Sequence, residues 1–211
     1  MTTATKTNPF SGSDAFSGGF SQPVFDAQSV FRTVLDALSR PGQPKSLSAR
    51  TRPPKPMSGL LADILCALTD QDTAVFLDPT LAKAKGVANW LRFQTGAPCV
   101  TNPAEADFVA ASAPDALPPL SQFSIGTADY PDRSATVLIA VASLEGGDAV
   151  TLSGPGIKDN VTFAPKGIAP GLWQQLIANH AHYPRGLDVI FVGPDAIAGL
   201  PRSTVITTGE G

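Results

Sequence analysis

Three arginines, two histidines and one glycine-rich turn are the residues of this chain with the most chemical potential. Arg92 lies in Leu91-Arg-Phe-Gln-Thr-Gly-Ala-Pro98, where a helical pattern gives way to a strand. Arg202 lies in Leu200-Pro-Arg-Ser-Thr204, just ahead of the last strand, and Arg32 interrupts the polar side of the first helical pattern. A guanidinium fork holds phosphate or carboxylate through parallel N–H···O bonds of about 1.5–3 kcal/mol each. The same fork serves an internal carboxylate equally well. The three therefore make an anion site only if the fold gathers them in one cleft. Gly154-Pro155-Gly156-Ile157 follows an extended Thr151-Leu-Ser153. Such a turn either aims backbone N–H groups at an anion or is simply tight. His180 and His182 stand two apart at a helix end, so they point about 200° apart and share a metal only if that segment is extended. An imidazole favoured by the helix dipole is the plainer reading.

Much self-contained chemistry is missing from the motifs. Gly154-Pro-Gly156 has no following Gly-Lys-Ser/Thr, so it is no Walker phosphate loop. There is no helical His pair four apart, no Cys-x-x-Cys and no Gly-x-Ser-x-Gly elbow. No metal site is expected. The two cysteines, Cys66 and Cys99, sit in apolar surroundings and read as reduced core thiols, a disulfide or reactive thiol being the alternative. A pyridoxal phosphate enzyme needs a lysine held in the cofactor pocket. Lys83 and Lys85 read as helix surface; Lys6, Lys45, Lys55 and Lys166 read as loop; only Lys158 follows a strand-and-glycine segment. No cofactor is expected.

The elements that must position these groups follow from periodicity. Residues 1–21, rich in Thr, Ser and Gly, read as a flexible arm, and 22–211 as one α/β domain. A helix is expected from an Asp26 cap to Ser39, with Val30, Phe31, Val34, Leu35 and Leu38 as its buried stripe. Further helices are expected over Gly59–Asp70, Leu81–Phe93 and Gly171–His182. Strands are expected at Thr73–Leu77, Cys99–Val100, Phe108–Ala111, Ala135–Leu144, Ala149–Leu152, Val161–Ala164, Leu187–Val192 and Thr204–Thr208. The runs at 135–144 and 187–192 are apolar on both faces, as central strands covered from each side must be. Gly146-Gly147 suggests a hairpin returning to Ala149–Leu152. The fold expected is a three-layer α/β structure: a mixed sheet with helices on both faces.

Composition sets further bounds. Net charge is −3, which gives no general field for nucleic acid or an anionic membrane. No apolar run approaches the roughly 20 residues of a membrane span, and no signal pattern opens the chain, so the cytoplasm is the expected compartment. Charged residues are only 16% of the chain, against a usual value of about 25%, which suggests that part of the surface is covered by a partner.

Several segments together resemble one known family. Phe25-Asp-Ala-Gln-Ser-Val-Phe-Arg32 through Leu38-Ser-Arg-Pro-Gly42 resembles the opening of the PhnH family, the H subunit of the carbon–phosphorus lyase system. Leu91–Pro98, Gly126-Thr-Ala…Tyr130-Pro-Asp-Arg-Ser-Ala-Thr136, Leu152-Ser-Gly-Pro-Gly-Ile157, Pro184-Arg-Gly-Leu-Asp-Val-Ile190 and Leu200–Thr204 are similar to later segments of that family, in the same order. The resemblance implies a fold like that of pyridoxal-phosphate-dependent transferases, without the cofactor. It implies a homodimer in isolation and a complex with the G, I and J subunits. That assembly forms ribose 1-phosphonate 5-triphosphate from ATP and a phosphonate in organophosphonate catabolism. No catalytic residue transfers with the resemblance. Gln94 and the longer Ser/Gly-rich arm depart from it. The alternative is a small-molecule protein that binds a phosphonate or nucleotide phosphate through Arg32, Arg92 and Arg202, with Gly154 and Gly156, and catalyses nothing itself.

Overall fold

The computed structural model describes residues 16–209. Its centre is a seven-stranded mixed sheet: β1 (Lys45–Ser46), β2 (Val75–Leu77), β3 (Cys99–Val100), β4 (Phe108–Ala111), β5 (Thr136–Ala140), β8 (Asp188–Val192) and β9 (Ala196–Leu200), in spatial order β1-β9-β8-β5-β4-β2-β3. Strands β3, β2, β4, β5 and β8 run parallel, and β9 runs against both its neighbours.

Alternation along the strands splits the interior into two cores. Val137, Ile139, Val189, Phe191, Val109 and Phe76 face one, while Leu138, Ile190, Val192, Ala110, Val75 and Leu77 face the other. That is the two-sided burial expected of β5 and β8. The second core is roofed by helices α1 (Pro23–Ser39), α2 (Gly59–Leu68), α3 (Pro79–Lys83) and α4 (Val87–Thr95). The first is closed differently, by α5 (Pro170–His180) and a separate antiparallel sheet, β10-β6-β7, built from β6 (Val150–Ser153), β7 (Val161–Phe163) and β10 (Val205–Thr208). Phe163, Trp173 and Phe191 join β7, α5 and β8, with ring centroids 5.4–6.4 Å apart.

Several expectations need correction. The hairpin from 135–144 to 149–152 does not form, because β4 and β8 occupy both edges of β5; β6 pairs with β7 and β10 instead. The 204–208 strand pairs with β6, so it closes the small sheet and not the large one, and helices do not cover both faces evenly. The single helix expected over 81–93 is two, separated at Gly86, whose φ of +89° lies outside the helical range. Helix α1 starts at Pro23, not after Asp26. Pro23 supplies the pre-set φ of a first helical residue, and the Asp26 carboxylate accepts a hydrogen bond from the Gln22 N–H at 2.9 Å. Of the stripe expected on α1, Val30 and Val34 are buried together with Ala37, whereas Phe31 and Leu35 are exposed.

Residues 1–15 of the expected arm lie outside the described residues. The rest of it, 16–21, lies on α4 and the connector before α2. Trp90 Nε1 donates to the Ser17 carbonyl at 2.7 Å, the Arg52 N–H donates to the Gly18 carbonyl, and the Phe16 and Phe93 rings meet at 4.7 Å. No helix among the described residues is long and apolar enough to cross a membrane.

The sequence periodicity did not reveal β9. Its Ala-Ile-Ala-Gly-Leu composition is small because α1 lies directly on it. A Cβ at Gly199 would stand 2.6 Å from the Ala37 carbonyl oxygen. Gly199→Ala is therefore expected to lift α1 and cost about 1–3 kcal/mol, the usual range for overpacking, read as a shift in urea midpoint at unchanged slope. An unchanged midpoint would contradict this account of the helix–strand contact.

Candidate functional site

Five of the six segments singled out in the sequence meet at one edge of the molecule. The turn after β6 packs on the end of α1: a Cβ at Gly156, where φ is +82°, would collide with the Ser39 carbonyl oxygen. A Cβ at Gly154 would stand 3.1 Å from the Ser203 carbonyl. Arg202, between β9 and β10, reaches Asp188 at the start of β8. Nε donates to Asp188 Oδ1 at 3.1 Å, Nη2 to Oδ2 at 2.5 Å, and the Arg202 backbone N–H to Oδ1 at 2.9 Å. Its remaining arm, Nη1, donates to the Pro131 carbonyl at 2.5 Å, drawing in the 126–136 segment. Gly186 closes the ring: its N–H donates to the Ile125 carbonyl, and its Cα leaves only 3.3 Å between a would-be Cβ and Arg202 Cβ.

Two concavities flank this junction. One is an open cleft of about 400 Å³, walled by Leu38, Ser39, Pro155, Gly156, Asp188 and Ser203. The other, about 240 Å³, lies between α5 and the turn at 120–122, beside Phe123, Ile125 and His182. The two amides in the second are already engaged, while Ser121 and the exposed His182 also line it. Gln175 Oε1 accepts from the Leu120 N–H, and the Asn179 amide exchanges two hydrogen bonds with the Leu187 backbone. The amide wall therefore offers a ligand mainly apolar contact, which leaves Ser121 and His182 as the polar groups on the rim.

The electrostatics of the 400 Å³ cleft do not favour an anion. Its polar rim includes the C-terminal carbonyl end of α1, which carries partial negative charge, and the Asp188 carboxylate. Arg202 is spent on Asp188 and Pro131, so its charge and donors face inward. Ser39 and Ser203 leave the rim suited to a neutral, hydroxylated group.

The remaining candidates are dispersed. Arg32 is exposed on α1 and Arg92 is exposed on α4, on the helical side of the large sheet, so the three arginines do not converge. His180 Nδ1–H donates to the Arg202 carbonyl at 3.0 Å, which leaves Nε2 as the free ring nitrogen, while His182 is exposed on the turn beyond α5. Among the described lysines, Lys45 pairs with Asp36 at 3.0 Å, and Lys55, Lys83, Lys85, Lys158 and Lys166 are exposed. No group of three or more His, Cys, Asp or Glu among the described residues is placed to hold a metal.

Asp188 was missed as Arg202's partner. It sits 14 residues away, hidden in a run that reads simply as strand, and only an acidic residue breaking that apolar run hinted at a role.

Both cysteines are free. Burial pushes the Cys66 thiol up to about 12, helped by the nearby Asp63 charge, and burial also raises Cys99, with the Arg92 charge pulling the other way. Maleimide labelling near pH 7.5 is expected to be at least about a hundredfold slower at Cys66 than at a free thiol, because the thiolate is the reactive form. Fast labelling at Cys66 itself, with Cys99 replaced by serine, would contradict its half-buried placement.

Comparison with known proteins covers nearly all of the described residues. The family described as bacterial phosphonate metabolism protein (PhnH) matches residues 18–207. The chain is 40% identical over 192 residues to the alpha-D-ribose 1-methylphosphonate 5-triphosphate synthase subunit PhnH of Rhizobium meliloti (strain 1021), spanning 91% of this chain and 96% of that protein. It is 31% identical over 179 residues to the putative C-P lyase subunit protein HtxG of Stutzerimonas stutzeri, spanning 85% of each.

Proposed function

Since the chain belongs to the PhnH family of bacterial phosphonate metabolism proteins, we propose that it works as the H subunit of a carbon–phosphorus lyase core complex. In that role it supports formation of ribose 1-phosphonate 5-triphosphate from ATP and a phosphonate. The observation that carries the reading is the likeness to two named subunits along 85% or more of the chain. Five of the six segments bearing the family resemblance also gather at one structural junction held by Arg202 and Asp188.

The partners proposed are the G, I and J subunits, with a homodimer when the chain is isolated and the cytoplasm as its compartment. Two free thiols support a reducing compartment. The seven-stranded sheet with a single reversed strand is compatible with the proposed likeness to pyridoxal-phosphate-dependent transferases. Of the residues singled out for ligand contact, Gly156 faces the 400 Å³ cleft, where the Ser203 hydroxyl and the accepting oxygen of Ser39, whose hydrogen goes to the Asp36 carbonyl, can meet a sugar-like group. Arg202 acts there by fixing the wall.

Co-expression with the G, I and J subunits tests the reading. The chain is expected to co-purify with them, and the assembly is expected to consume ATP with methylphosphonate only when this chain is included. An assembly equally active without it would overturn the proposal.

A further inference from the structure

Helix α1 carries a second apolar stripe that the fold leaves bare. Val24, Phe31 and Leu35 follow one another at helical spacing, with Phe25 beside them, and they are 77%, 45%, 50% and 71% exposed respectively. The buried face of α1, at Val30, Val34 and Ala37, lies about a third of a turn around. At roughly 1.5 Å per residue the stripe runs about 17 Å along the helix.

The bare surface continues beyond α1. Arg50 donates to Ser29 Oγ and pairs with Asp26, linking α1 to the connector before α2. The connector's Arg52 lies against Gly18, and its Pro54 lies against Gly86 at the start of α4. The strap at 16–19 then delivers Phe16 to Phe93, which is itself 57% exposed.

The unpaired charge on this side is predominantly positive. Arg32, Arg52, Lys55, Lys83, Lys85 and Arg92 have no acidic partner among the described residues. The acids of the same half are mostly spent. Asp26 and Asp36 are in ion pairs, Asp63 and Asp78 are buried under hydrogen bonds, and exposed Asp70 and Asp72 sit in the turn ahead of β2. Past residue 100 the exposed acids outnumber the exposed bases, and the whole chain is negative. An apolar stripe framed by unpaired bases within an acidic protein is a complementary surface of defined sign.

We infer that this helical face, α1 with the connector and α4, is where a different subunit of the assembly docks, through a surface that is apolar and acidic. A second copy of this chain fits poorly, because a two-fold contact would bring the unpaired bases of one copy, Arg32, Arg52 and Arg92 among them, up against those of the other. The inference rests on the subunit reading above and adds the face and the chemistry of the partner.

Tagged chain co-expressed with the G, I and J subunits provides the test. Phe31→Asp alone, and Arg32→Glu with Arg92→Glu, are each expected to reduce recovered partner at least about tenfold without moving the melting temperature, since these side chains are exposed. Recovery by the native chain is expected to fall as salt rises from about 0.05 to 0.5 M. Arg133→Glu with Lys166→Glu, on the other half, is expected to change nothing. Variants that recover as much partner as the native chain would overturn the docking face and leave the subunit reading standing. Variants that lose self-association while keeping the other subunits would overturn it too, in favour of a second copy. A native chain that recovers no partner would strike down the subunit reading, and the docking face with it.

Discussion

Replacing Arg202 with methionine is expected to lower stability by about 3 kcal/mol, a drop of about 6–12 °C in melting temperature for a domain of this size. The side chain makes two bonds to Asp188 and one to the Pro131 carbonyl, and both ends of the pair are mostly shielded from water. Removing the guanidinium strands the Asp188 carboxylate with only the Arg202 backbone N–H. It also frees the 126–136 segment from the β9–β10 corner. Arg202→Lys keeps the charge but not the fork, so about half the loss is expected to remain. Pairing Arg202→Met with Asp188→Leu is expected to recover part of it, because the second change removes the stranded charge. Thermal melts of the two single variants and the double variant decide the matter. A residue whose work is to hold ligand would leave the melt of the ligand-free protein unmoved, and that result would return Arg202 to the role of an anion contact.

This bears on how much of the site could be read from the sequence. The segment around Arg202 was legible as important, and so was its resemblance to a family. What the arginine does there was not, because its function depends on Asp188 and Pro131, 14 and 71 residues away. Local pattern says nothing about such pairings. Arg32 and Arg92 look equivalent to Arg202 in the sequence, yet they project from the helical layer on the other side of the large sheet. The fold shows the same division. Strands β5 and β8 were legible because two cores require apolar residues on both faces. Strand β9 was not, because the close approach of α1 selects Ala and Gly, which carry no strand signal. On α1 the apolar positions 30, 31, 34 and 35 look like one stripe; they belong to two faces, and the small Ala37 that completes the inner one gave no cue. The misread residues Phe31 and Leu35 are the same ones that make α1 a docking surface, since a solvent-facing stripe and a core stripe use the same residue types.

The larger single-residue effect is expected at Asp63, a carboxylate with no exposed surface in the middle of α2. It accepts hydrogen bonds from the Arg50 N–H at 2.8 Å, the Thr51 N–H at 2.8 Å and the Thr51 hydroxyl at 2.6 Å. Asp63→Ala leaves the buried Thr51 N–H and the half-buried Arg50 N–H without acceptors. The hydroxyl keeps only its longer contact to the Gly59 carbonyl at 3.2 Å. At about 1–3 kcal/mol for each buried donor left unmade, the expected cost is about 4 kcal/mol. Asp63→Asn retains an accepting oxygen but turns an N–H₂ towards a donor, so about 2 kcal/mol is expected. The damage is directional, because those bonds pin the connector whose ends, Leu47 and Met57, enter the helical core, and whose Arg52 holds Gly18. Hydrogen exchange measured well below the melt is expected to show lost protection first at Thr51 and Arg52, while β5 and β8 keep theirs. Uniform loss across both regions would mean that Asp63 supports the whole core rather than the connector. A connector released in this way also displaces Arg52 and the Phe16 strap from the helical face. Asp63→Asn is therefore expected to weaken recovery of partner subunits while the chain stays folded, which separates a surface that must be pre-shaped from one that only needs its charges.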